Sequence, residues 1–142
     1  MDSTQTGGDL PPASPRVLCA HPVGLIGDAL VRLFTLEGLP VSQAGTGEAA
    51  WDAFRRESGD FSAVVMAHEL PGGGGLGLVR RLREAGFGGR IIAHGPEVND
   101  ADVASYRSWN VESVVVTSNG PEELLGVVEA WCAGPGGSGP MN

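Results

Sequence analysis

Phe61-Ser62-Ala63-Val64-Val65-Met66-Ala67-His68-Glu69-Leu70-Pro71-Gly72-Gly73-Gly74-Gly75 decides the fold. Ala63 to Met66 are apolar without alternation, which marks a short strand buried on both faces. Pro71 and the glycines after it end that strand in a turn. Leu78, Val79 and Leu82 then recur at helical spacing and predict a helix from Gly75 to Ala85. Arg80, Arg81 and Arg83 are read as its outward residues. A buried strand, a tight turn and an amphipathic helix in that order form the repeating half of a parallel α/β unit.

Working outward, the same unit recurs. Arg16–Ala20 reads as a buried strand, and Leu25, Ile26, Ala29, Leu30, Leu33 and Phe34 follow at helical spacing, closed by Gly38. Pro40–Ala44 is a second strand, and Glu48–Glu57 a helix with Ala50, Trp51 and Phe54 on one face. Gly59-Asp60 ends it. Beyond the central unit, Ile91–Ala93 and Val114–Val116 are strands and Asn99–Trp109 is a polar helix. Pro121–Cys132 is the last helix, with Pro121 in its first turn and Glu122 and Glu123 complementing its dipole. Five strands alternating with five helices predict a three-layer (βα)5 domain around a doubly wound parallel sheet, flavodoxin-like in architecture. The domain is expected over residues 16–133. Residues 1–15 and 134–142, rich in Gly, Ser and Pro, read as disordered tails.

The chain has 142 residues, enough for one domain with its own core. Its net charge is −8, which disfavours direct binding to nucleic acid or to an anionic membrane surface. All nine basic residues are arginine; there is no lysine. This Gly-, Ala- and Arg-rich usage points to a GC-rich genome. Cys19 and Cys132 have no metal-binding spacing and read as two free thiols. No signal pattern and no apolar run of about 18 residues is visible, so a cytoplasmic location is expected.

In such sheets the functional crevice lies beyond the carboxyl ends of the strands. That places His21-Pro22, Ala67-His68-Glu69, His94-Gly95 and Thr117-Ser118 at the candidate site. In its order of elements the segment Arg16–Cys132 resembles a response-regulator receiver domain. The resemblance rests on Leu36-Glu37-Gly38, on Gly47-Glu48-Ala49-Ala50, on Pro71 with its glycines, on Leu78-Val79-Arg80-Arg81-Leu82-Arg83, and on Pro121-Glu122-Glu123-Leu124-Leu125. It implies a receiver-like fold and a place in bacterial two-component signalling. It also implies a site that this chain has dismantled. Ala67 stands where the family has its phosphate-accepting aspartate, and His21-Pro22 where it has two carboxylates that hold Mg²⁺. Gly95, or His94 if the alignment slips by one, replaces a Thr or Ser. Thr117-Ser118 replace a Lys-Pro pair, and Val114 replaces an aromatic switch residue. Without nucleophile, metal carboxylates or Lys, no group is left to stabilise phosphoryl transfer. Glu69, on the loop, has no carboxylates to help it as a substitute acceptor.

The resemblance and these departures together lead to the expectation of a phosphorylation-independent pseudo-receiver, not an enzyme and without a cofactor. It would act by binding another protein or itself, a dimer being one form. The alternative is a small-molecule sensor with its ligand in the vacated crevice. An enzyme of flavodoxin-like architecture ranks last, because no nucleophile–base pair or cofactor fingerprint is present. His21, His68 and His94, with Glu69, have the ligand types for Zn²⁺. Strand ends face a solvated crevice, and alternation puts neighbouring residues on opposite faces so that His68 need not point where Ala67 points; these histidines are therefore expected to be mostly solvated and metal-free. His21-Pro22-Val23-Gly24 echoes a cobalamin-binding loop too faintly, and the Gly72–Gly75 run lacks the Lys-Ser/Thr of a phosphate-binding loop. The aromatic and Arg residues Tyr106, Arg107 and Trp109 are the expected interface anchors. Trp131, late in the last helix, is read as a core residue.

Overall fold

The structure, a computed structural model, describes residues 16–22, 24–57, 61–111, 113–118, 120 and 122–137, with side chains to Trp131. Elements alternate strand and helix throughout: β1 (Val17–Ala20), α1 (Leu25–Leu36), β2 (Val41–Ala44), α2 (Gly47–Arg56), β3 (Ala63–Ala67), α3 (Gly74–Glu84), β4 (Arg90–Gly95), α4 (Asp100–Ser108), β5 (Ser113–Val116) and α5 (Glu122–Gly137). The strands pair in parallel in the order β2-β1-β3-β4-β5, as expected for a doubly wound sheet. No helix among the described residues is long and apolar enough to cross a membrane.

Alternation along each strand divides the core in two. Leu18, Ala20, Val64, Met66, Ile91 and Ala93 meet α2, α3 and α4 through Ala50, Phe54, Leu78, Val79, Leu82 and Tyr106. Val17, Cys19, Val65, Ile92 and Val115 meet α1 and α5 through Leu30, Phe34, Leu124 and Val128. Each fully buried Leu or Phe contributes about 1.5–3 kcal/mol. Trp131 packs edge-on against Phe34, with centroids 6.3 Å apart, and ties α5 to α1 as the core reading expected. The Cys19 thiol is free and buried, and burial pushes its pKa up to about 12.

Local chemistry explains the boundaries. Thr46 caps α2 by accepting a hydrogen bond from the Ala49 N–H (3.0 Å), and Asn99 caps α4 through the Asp102 N–H (2.8 Å). Gly72 to Gly74 all have positive φ, which only glycine adopts freely, so the turn into α3 needs its glycines. Two readings change. Arg83 is not outward: its guanidinium donates to the carbonyls of Trp109 (2.8 Å), Phe87 (2.8 Å), Gly89 (2.9 Å) and Asn110 (3.0 Å). The long side chain crosses the turns after α3 and α4 and satisfies carbonyls that no strand pairs. The last helix also extends to Gly137, into residues read as tail. Residues 1–15, Gly59-Asp60, Pro121 and residues 138–142 lie outside the described residues.

Candidate functional site

The carboxyl ends of β1, β3 and β4 carry the site. Ala67 pairs with His94 in the register of β3 and β4, so their side chains share one face of the sheet. Cys19 pairs with Val65, which brings His21, two residues on, beside Ala67 on that face. There the imidazoles of His21 and His94 stack, with centroids 4.9 Å apart and planes 14° from parallel. The His21 Nδ1–H donates to the Pro22 carbonyl (2.7 Å), leaving Nε2 as the acceptor nitrogen. A cleft of about 240 Å³ opens next to the pair, lined by Cys19, His21, Pro22, Gly27, Asp28 and Gln43 among others.

His94 departs from the expected solvated histidine: at the end of β4 inside the sheet it is 1% exposed, and neither ring nitrogen has a hydrogen-bond partner among the described residues. Burial, with the neighbouring His21, pushes its pKa down to about 3. It is therefore a neutral imidazole at any ordinary pH. The methyl of Ala67, 7% exposed, is the only side-chain group at the end of β3 on this face. Thr117 is also buried, its N–H bonded to the Gly95 carbonyl (2.7 Å), whereas Ser118 is exposed.

His68 goes the other way. Its Nδ1 lies 2.7 Å from the Tyr106 hydroxyl and its Nε2 3.1 Å from Asp102 Oδ2. With Nε2–H donating to the carboxylate, Nδ1 accepts the Tyr106 O–H. The Tyr106 phenol has its pKa raised, first by burial and then by the Asp102 charge. Gly75 makes room: a Cβ there would sit 2.6 Å from the Tyr106 oxygen and 2.8 Å from the Ala67 carbonyl. Gly95 belongs to this second face, since a Cβ on it would meet His68 Cβ at 3.1 Å. His94, not Gly95, is thus the residue beside Ala67.

The three histidines consequently do not converge. The stacked pair directs its in-plane nitrogen lone pairs along parallel planes, and both nitrogens of His68 are engaged across the sheet. No group of three metal-ligating side chains forms among the described residues. Glu69 is exposed on its loop.

The expected aromatic interface needs correction. Tyr106 is 0% exposed and belongs to the core, because the turn of α4 carrying it faces α3 and β3. Trp109 is half-buried against the same cluster, and only Arg107 of the three is exposed. Sequence reading missed the His68–Tyr106–Asp102 group altogether. Its one available signal was the i, i+4 spacing of Asp102 and Tyr106, which puts them on one face of α4.

No family model and no curated protein matches the sequence. Solved structures do match. A CheY-like response regulator receiver domain protein from Methanospirillum hungatei superposes with a TM-score of 0.72 at 17% identity, over 84% of this chain and 94% of that one. A LuxR-family two-component response regulator from Aurantimonas gives 0.70 at 24% identity, over 84% and 86%. A CheX–CheY complex with BeF3 and Mg from Borrelia burgdorferi gives 0.71 at 18% identity, over 80% and 86%. The fold is that of receiver domains.

Proposed function

We propose that this chain is a regulatory module of the two-component type that works without taking up phosphate, by binding another protein. The observation that carries the reading is Ala67 at the end of β3 with His21 and His94 packed against its face. A methyl group cannot attack phosphorus, and a neutral buried imidazole offers no charge to a phosphoryl group. Among the described residues of the crevice the one thiol, Cys19, is buried and held protonated and no hydrogen bond joins a nucleophile to a base, which supports a non-enzymatic module. The acidic chain suits a protein partner better than nucleic acid. The match to a protein of similar fold solved in complex with CheX supports a protein partner.

The test is incubation with acetyl phosphate and Mg²⁺ followed by intact mass measurement. The mass is expected to stay unchanged; a gain of one phosphoryl group that is lost as an acyl phosphate overturns the reading. A second reading, a small-molecule sensor, is favoured by the two unpartnered nitrogens of His94 beside the cleft at His21. Ligand-dependent shifts of the imidazole resonances of His21 and His94, with those of His68 unmoved, would establish it.

A further inference from the structure

Among the described residues the most exposed large apolar side chains are Leu25 at 87% and Leu36 at 77%. Both lie on α1, whose inner face is already spent on Leu30 and Phe34. At about 100° per residue, Leu25, Ala29, Arg32 and Leu36 fall within a stripe about 60° wide. That is a second seam, pointing away from the sheet. Beside it a groove of about 370 Å³ runs between α1 and α5, floored by Leu33 and Leu125 and edged by Asp28 and Glu129.

We propose that this face binds a second copy of the chain, with the two α1 helices antiparallel across a twofold axis. The inference rests on the reading of the chain as a protein-interaction module and names its partner. The sequence of α1 is the argument. Placing the axis between Leu30 and Val31 brings Leu25 opposite the partner copy's Leu36, and Ala29 opposite its Arg32. Each leucine thus gains an apolar neighbour at both ends of the seam. The small Ala29 leaves room for the long arginine, whose guanidinium then reaches the other copy's Asp28. An isologous contact requires such self-complementarity of one patch, in shape and in charge. An unrelated partner would require only an apolar stripe, not one that also sets each Asp28 within one residue of the other copy's Arg32 across the axis.

The patch is small. The 12 residues of α1 span about 18 Å, and two helices side by side make a face about 20 Å wide. That is well below the ~800 Å² per partner of a standard interface, so the association is weak and reversible. Sedimentation velocity on the full chain, from roughly 5 to 500 μM, is the test. The expected result is a rise from monomer to dimer across that range. Leu25→Glu and Leu36→Glu each keep the chain monomeric, with circular dichroism unchanged because both side chains are exposed. Asp28→Arg and Arg32→Asp each weaken the dimer about tenfold or more, and the double exchange restores it, since each new Arg meets a new Asp across the axis. A chain monomeric throughout, or a dimer indifferent to the leucine variants, overturns the proposal, as does failure of the double exchange. The phosphate experiment is independent: a chain that dimerises through α1 and also takes up phosphate keeps this inference and loses the phosphate-independent reading.

Discussion

Two single residues have consequences out of proportion to their prominence in the sequence. Arg83 looks like one of three surface arginines on α3, yet it alone gathers four carbonyls from two turns. Such charge-assisted bonds are individually stronger than neutral ones, and a lysine ammonium cannot span the four acceptors. Arg83→Lys and Arg83→Ala are each expected to lower stability by about 2 kcal/mol in urea titrations, whereas Arg80→Ala stays within about 0.5 kcal/mol. Equal effects at the two positions would show that the clamp is not structural. His94 matters through pH. Its folded pKa is about 3, while an unfolded histidine titrates near 6.5. Between those values the unfolded chain binds more protons, so stability is full above about 6.5 and falls as pH falls toward 3. Between pH 6.5 and 5, where most carboxylates are still ionised, the loss is about 2 kcal/mol. His94→Leu should flatten that part of the profile; an unchanged slope would mean that His94 titrates normally in the folded chain.

Among the elements, α4 shows where sequence reading reaches its limit. The central strands β1, β3 and β4 were legible because each apolar run is buried on both faces, whereas the edge strands β2 and β5 are only partly buried and were read from their place between helices. The helices α1, α2 and α3 were legible through their apolar periodicity, with Leu78, Val79 and Leu82 buried as expected. The polar helix α4 contributes Tyr106 as its single fully buried residue. One aromatic in a polar helix reads equally as an exposed anchor or as a core plug, and only the cavity left by Gly75 decides. Within the site, alternation correctly put His68 on the face opposite Ala67. It did not reveal the Tyr106 and Asp102 partners, which come from 38 and 34 residues away. The Arg83 contacts were hidden for the same reason: they depend on two turns meeting in space. The His68–Tyr106–Asp102 bonds tie α4 to the loop after β3, so they should govern the motion of α4. Tyr106→Phe keeps the packing but leaves His68 Nδ1 unpaired, at a cost of about 1–2 kcal/mol. Hydrogen exchange should accelerate in the α4 amides and not in α1 or α2. Uniform acceleration across all helices would show that the bond holds the whole fold rather than this element.

At the scale of the whole molecule, the fold brings side chains from several strand ends to one edge, and any phosphoryl chemistry there would need all of them together. This bears directly on Ala67→Asp. The new carboxylate would stand at the end of β3 beside the neutral His94, its register partner, in a position now 7% exposed. It would find His21-Pro22 after β1, not carboxylates that could hold Mg²⁺, and Thr117-Ser118 after β5, not a cation. The chain has no lysine at all to take that part. Positioning and electrostatic stabilisation would both be missing, and they supply most of the catalysis of phosphoryl transfer. The buried carboxylate would instead draw a proton onto His94 and form an ion pair, raising the histidine's pKa. Ala67→Asp is therefore expected to take up no phosphate from acetyl phosphate in Mg²⁺ and to lose about 1–3 kcal/mol of stability from burying a charge. The His94 resonance should also titrate at higher pH than in the parent chain. Phosphate uptake by this single variant would mean that the remaining groups still form a competent site, and the reading of a dismantled crevice would fall with it.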